Sequence, residues 1–249
     1  MRQLAGKNIV VIGGSRGVGR RIVEASAGNG ARVLAVARQE GALRRLAEEV
    51  SGVDILSCDA RSEEAPKQVF DVRHPDVLVI GGGVFPPTGP FHELSWQDFA
   101  VNWEADVRIA FNFCKAALAH PLPAGTTVIL IASGAGLAGS PNSGGYAGAK
   151  RTQMFLSNYS QKESDRLGLG LRFKALAPRM MPDTDLGKHA VAGYARYLGI
   201  SEADFLRGMV APPTAFDVAD AVMRLIVETD GLPENAFIVS GRGLEAVQG

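Results

Sequence analysis

Cysteine is nearly absent: Cys58 and Cys114 are the two in 249 residues, with no CxxC spacing and no histidine cluster beside them. That argues against a disulfide framework or a zinc motif and leaves two thiols expected to be buried and reduced. Histidine is scarce as well. His74, His92, His120 and His189 are scattered, mostly in expected turns or helix ends, so none is assigned as a metal ligand. There is no excess of either charge, since 26 basic residues balance 26 acidic ones and leave no field to hold a polyanion. The pairs Arg20 with Arg21 and Arg44 with Arg45 read as solvated helix faces, and nucleic acid is not expected as a partner. No apolar run is long enough to cross a membrane, and the amino terminus lacks a secretory core, so a cytoplasmic chain with no membrane partner is expected. An acceptor pattern at Asn158, Tyr159 and Ser160 falls inside an expected helix and reads as chance.

What the chain does have is alternation. Short Val/Ile/Leu-rich runs exchange with amphipathic helical patterns six or seven times without a linker. The expectation is a single α/β domain over 1–249, a Rossmann-like three-layer sandwich with a doubly wound, mostly parallel sheet.

Two regions carry chemistry. The strand Asn8–Ile12 runs into Gly13, Gly14, Ser15, Arg16, Gly17, Val18 and Gly19, followed by a helical pattern over 20–27. Strand, glycine turn and helix make a phosphate cradle, because glycines let the backbone approach a pyrophosphate while helix-start amides point at it. The spacing is GxxxGxG and no GK[ST] follows, which disfavours a P-loop triphosphatase. In the second region Tyr146 and Lys150 stand one helical turn apart, thirteen residues downstream of Ser133, which ends an apolar run over 126–132. An i,i+4 pair faces one way, so an ammonium near a phenol favours the ionised form, and the loop 134–145 could bring Ser133 to them.

With both regions placed, the chain resembles the short-chain dehydrogenase/reductase family over nearly its whole length, with Ser133, Tyr146 and Lys150 in order and at that family's spacing. The resemblance implies that Tyr146 exchanges a proton with the substrate oxygen and that Ser133 hydrogen-bonds the same oxygen. It further implies that Lys150 binds the nicotinamide ribose and favours ionised Tyr146, while a nicotinamide cofactor carries the hydride. Tyr146 and Lys150 therefore count toward both catalysis and cofactor binding.

Cofactor choice is argued from charge. Where an NAD enzyme usually ends its second strand in an acid, this chain has Ala37 and then Arg38. Arg16 supplies a second guanidinium, and two planar cations suit a 2′-phosphate, so NADP(H) is preferred to NAD(H). The cofactor set is Gly13, Ser15, Arg16, Val18, Gly19 and Arg38, with Asp59 and Ala60 after the third strand at the adenine. Gly81, Gly82 and Gly83 follow a strand over 76–80, and Pro178, Arg179 and Met181 follow the sixth strand. Ile80 to Gly83 replace the family's NNAG, so the asparagine bonds that tie its sheet are missing and must be replaced elsewhere.

Asp106 is the other departure. It stands where many relatives have an Asn whose backbone carbonyl helps hold a relay water; as a side chain, its carboxylate would favour the charged form of Lys150. Asn102, a turn away, is not given that role. The stretch 180–213 is expected to form a substrate lid. Met180, Met181, Tyr194, Tyr197, Leu198 and Phe205, with Phe85, Pro86 and Pro87, could line a mainly apolar pocket, and Lys188, His189 and Arg196 could meet an anionic substrate. A closing strand over 236–239 leads to a turn through Ser240 to Gly243, and the resemblance implies a homodimer or homotetramer.

The reading is an NADP(H)-dependent oxidoreductase interconverting a carbonyl and an alcohol on a small, partly apolar substrate. Its alternative is an NADP(H)-binding sensor or scaffold with weak or lost catalysis, motivated by Asp106, Arg179 and the altered NNAG.

Overall fold

The computed structural model describes residues 3–228 and 231–247. From the amino end, β1 (Asn8–Ile12), α1 (Gly17–Gly28), β2 (Arg32–Ala37), α2 (Glu40–Glu49), β3 (Val53–Ser57), α3 (Ala65–Val72) and β4 (Val77–Ile80) form the first half. Then come α4 (Trp96–Asn102), a wide π-helical turn at Trp103–Val107, α5 (Arg108–Ala119), β5 (Thr127–Ile131), α6 (Ala135–Ala138), α7 (Tyr146–Leu167) and β6 (Arg172–Pro178). The chain closes with α8 (Asp185–Leu198), α9 (Glu202–Arg207), α10 (Ala215–Val227), β7 (Ala236–Ser240) and β8 (Gly243–Ala246).

The strands lie in the order β3-β2-β1-β4-β5-β6-β7-β8, parallel except for β8. Their residues are apolar at successive positions because both faces of the sheet are covered. Ile9 and Val11 join Val33, Ala35, Val77 and Val79 on one face, against Ile22 of α1 and Val222 of α10. Val10 and Ile12 join Leu34, Val36, Leu78 and Ile80 on the other, against Phe113 of α5 and Val69 of α3. Each fully buried aliphatic side chain contributes about 1.5–3 kcal/mol. Replacing Val11 by a charged residue would place an unpaired charge in this layer.

β1 pairs with β2 on one side and with β4 on the other, in register from Ile12 to Ile80. The order reverses there, so connections leave in opposite directions and open a crevice at the carboxyl ends of the strands. Three local features differ from expectation. The tail does not stop at a turn: Gly241 and Arg242 link Ser240 to Gly243, and β8 returns antiparallel beside β7. The loop 134–145 contains α6, which is four residues long and too short to show helical periodicity. The Asp106 segment is a π turn, which leaves Ala105 and Asp106 buried side by side.

Candidate active site

The floor of the crevice is backbone. Gly13, at φ +85°, lies so close to the loop after β4 that a Cβ there would stand 2.8 Å from the Gly82 nitrogen. A Cβ at Gly19 would stand 2.1 Å from the Gly13 carbonyl oxygen, so α1 starts in direct contact with the turn that precedes it. Arg16, the residue before the helix, provides no side-chain cap. The first amides of α1 thus face the crevice without a protein side chain to satisfy them, an arrangement that fits a phosphate.

A cavity of about 980 Å³ opens above this floor. Gly13, Ser15, Arg16, Val18, Gly19, Arg38, Asp59 and Ala60 line one end, after β1, β2 and β3; Gly81, Gly82 and Gly83 follow β4, and Pro178, Arg179 and Met181 lie at the end of β6, beyond β5 in the sheet. Ser133, Tyr146, Lys150 and Asp106 line the other end, so every residue singled out for the site borders one space. Arg38 and Arg16 are both exposed, and the Arg16 guanidinium lies 4.9 Å from the Phe85 ring centroid, a cation–π contact. Asp59 is paired with Arg61 at 2.6 Å, and that hydrogen-bonded guanidinium holds its carboxyl down at about 2. Its charge is therefore already matched, which sequence reading did not anticipate.

At the catalytic end Ser133 follows β5, and its Oγ accepts the Ala135 N–H at 3.2 Å, leaving its O–H available to donate. Tyr146 opens α7, half-buried, and Lys150 follows one turn later with its Nζ 5.6 Å from the Tyr146 ring centroid. Lys150 is buried. Its ammonium donates to the Ile131 carbonyl at 3.2 Å and to Gln153 Oε1 at 3.1 Å, and it pairs with Asp106 Oδ2 at 3.2 Å. Burial pulls the lysine pKa down, but the Asp106 carboxylate and Tyr146 outweigh it and leave it above the ordinary value.

Asp106 meets Lys150 through its side chain. Its backbone carbonyl accepts Gln153 Nε2 at 3.0 Å, which uses one of that oxygen's two lone pairs. Asp106 Oδ1 accepts the Val84 N–H at 3.1 Å, while Asn102 Nδ2 donates to the Val84 carbonyl at 3.1 Å. These bonds supply the tie that the missing asparagines left open. Gly83 makes room for it, since a Cβ there would stand 2.6 Å from Asp106 Oδ1. Gln153 was missed altogether. Its place one turn beyond Lys150 toward the carboxyl end of α7 is the one signal that could have found it.

Only part of the expected lid reaches the cavity. Met180, Met181, Tyr194, Phe85 and Pro86 line it, but Tyr197, Leu198, Phe205 and Pro87 do not. Tyr197 and Leu198 sit on the solvent side of α8, and Phe205 stacks on Tyr194 with centroids 5.7 Å apart. Lys188, His189 and Arg196 also stay outside the lining; His189 Nε2 donates to the Pro86 carbonyl at 2.9 Å and its ring stacks on Phe85. Thr184 caps α8 by accepting the Gly187 N–H, Gly199 ends it at φ +68°, and Tyr194 shares a hydrogen bond with Ser140. Burial pushes the Cys58 thiol up and the Cys114 thiol up to about 12, which keeps both from acting as nucleophiles. No described helix is long and apolar enough to cross a membrane.

A family model described as short chain dehydrogenase matches residues 7–195. L-fucose dehydrogenase of Oryctolagus cuniculus is 26% identical, over 82% of this chain and 82% of its own. L-xylulose reductase of Bos taurus is 29% identical, over 59% of this chain and 62% of its own. Among solved structures, levodione reductase superposes with a TM-score of 0.81 at 19% identity, covering 96% of this chain and 97% of that one, a likeness of fold.

Proposed function

The chain belongs to the short-chain dehydrogenase family, and from that membership we propose that it is an NADP(H)-dependent oxidoreductase interconverting a carbonyl and an alcohol on a small, partly apolar molecule. The observation that carries this reading is the shared cavity. One space is bordered by the glycine floor, by Arg16 and Arg38, and by Ser133, Tyr146 and Lys150. Bound along the floor, a nicotinamide cofactor would supply or accept the hydride. Gly13 and Gly19 let the turn pack against the loop after β4 and against the start of α1, and the first amides of α1 would receive the negative charge of its pyrophosphate. Arg16 and Arg38, with Ala37 in place of an acid, suit a 2′-phosphate better than a free 2′-hydroxyl.

The residues of the chain handle the proton. In the reductive direction the Tyr146 phenol donates to the substrate oxygen, and in the oxidative direction it accepts from it. Ser133 donates its hydroxyl hydrogen to the same oxygen and stabilises charge as it develops there. Lys150 holds positive charge beside Tyr146. Met180, Met181, Phe85 and Tyr194 enclose the apolar part of the substrate and exclude water. The soluble partner is then a small carbonyl or alcohol compound, handled by a cytoplasmic homodimer or homotetramer.

The test is oxidation of NADPH and of NADH by purified protein against ketones, diketones, quinones, ketoses and 3-oxoacyl esters. Turnover with NADPH at a rate well above that with NADH is expected. Equal use of both would remove the 2′-phosphate assignment, and tight NADPH binding with no turnover on any carbonyl would favour the sensor reading.

A further inference from the structure

Lys150 and Asp106 form a charge pair with side chains 8% and 2% exposed. An ammonium has three N–H groups, and here the Asp106 carboxylate, the Ile131 carbonyl and Gln153 Oε1 match them one for one. Gln153 can be placed only one way round, because an ammonium only donates and the Asp106 carbonyl only accepts. The carboxylate is held in turn by the Val84 N–H. Such a pair is costly to desolvate and is not the cheapest way to fill a core. Its presence at the catalytic end needs a reason.

We propose that Asp106 is a positioning residue whose buried carboxylate keeps Lys150 protonated and fixed beside Tyr146, so that Lys150 acts as a permanent charge. The proposal rests on the reading of Tyr146 as the acid/base group. A buried lysine without a counter-charge gives up its proton readily, and a neutral amine would leave the phenol without a field. The ionisable groups acting on Lys150 are Asp106 from the π turn and Tyr146 from α7; β5 contributes the Ile131 carbonyl and α7 the neutral Gln153 amide. Asp106 is therefore the one carboxylate that offsets burial.

The test needs neither cofactor nor substrate, so it stands apart from the fate of the oxidoreductase reading. The unliganded wild type, Asp106→Asn and the double variant Asp106→Asn with Lys150→Met are unfolded thermally between pH 7 and pH 10. Asp106→Asn keeps the shape and removes the charge, and its Tm should fall by about 10 °C at pH 7. That deficit should shrink by at least half by pH 10. With the carboxylate gone, burial, the largest influence on Lys150, is opposed by Tyr146 alone, so the folded chain should lose this proton before the unfolded chain does and stability should rise with pH. In the wild type Lys150 is held above its unfolded value, so its contribution is fully present over this range and is lost only at higher pH. The double variant removes both charges and should recover more than half of the loss at pH 7.

A deficit that stays constant with pH would overturn the proposal, as would a double variant no more stable than Asp106→Asn. Should Asp106→Asn fail to fold while the double variant folds, the unpaired charge is the cause and the proposal stands. Failure of both would assign Asp106 to packing alone and overturn it.

Discussion

The two ends of the cavity are built on opposite principles. At the glycine-turn end the wall is backbone and exposed cations: glycines in direct contact, uncapped amides, and the exposed Arg16 and Arg38. At the catalytic end the wall is side chain and closed, with Lys150, Asp106 and Gln153 satisfying one another away from water. The first end is open to ions and tolerant of adjustment except where a Cβ will not fit. In the second the Lys150 ammonium, the Asp106 carboxylate and the Gln153 amide are joined to one another in a low dielectric, so a single lost group leaves another stranded there. Single charges are thus placed where solvent can screen them, and the buried pair where solvent cannot.

Substitutions at the two ends should separate these principles. The largest effect is expected from Tyr146→Phe, which removes the one group proposed to move the proton: turnover should fall by at least about a thousandfold. Affinity for NADPH, measured by fluorescence titration, should stay within about threefold; a comparable loss of affinity would mean that the two ends are not separable. Next comes Gly19→Ala, because the added methyl meets the backbone carbonyl of Gly13 and not a flexible side chain. It should cost about 2 kcal/mol in urea unfolding and weaken NADPH binding at least about tenfold. An unchanged affinity would show that the cofactor does not lie on this floor.

Arg38→Ala should be milder, since its guanidinium is exposed: the preference for NADPH over NADH should drop about tenfold, with a smaller drop at high salt. A preference that is unchanged at low salt would remove Arg38 from the phosphate. The smallest effect is expected at the lid. Tyr194→Phe deletes the hydrogen bond to Ser140 but keeps the ring on Phe205, so it should raise the substrate KM about fivefold without altering kcat. A fall in kcat instead would tie that bond to the chemistry.

The strands were legible because burial on both faces writes itself as unbroken Val/Ile/Leu runs; β1 is found at the residues expected for it, and β2 ends at Ala37 as expected. The exposed Tyr197 and Leu198 were not legible as solvent-facing, since apolar residues in the last turn of a helix look alike whether they face a pocket, a scaffold or water. β8 escaped notice because its four residues, GLEA, carry no strand pattern and pair only because β7 lies beside them.

Local order along the chain was enough to determine the alternation of strands and helices, the glycine turn with its helix, and the spacing of Ser133, Tyr146 and Lys150, since each depends on neighbours within a turn or two. That the Asp106 carboxylate would pair with Lys150 was decided only in three dimensions. The pairing depends on Gln153 bridging the Asp106 carbonyl and Lys150, Gly83 leaving space and Val84 holding Oδ1. Those residues come from two segments, the loop after β4 and α7, both apart from Asp106's own, and a buried charge finds its partner by the packing of segments, not by their sequence.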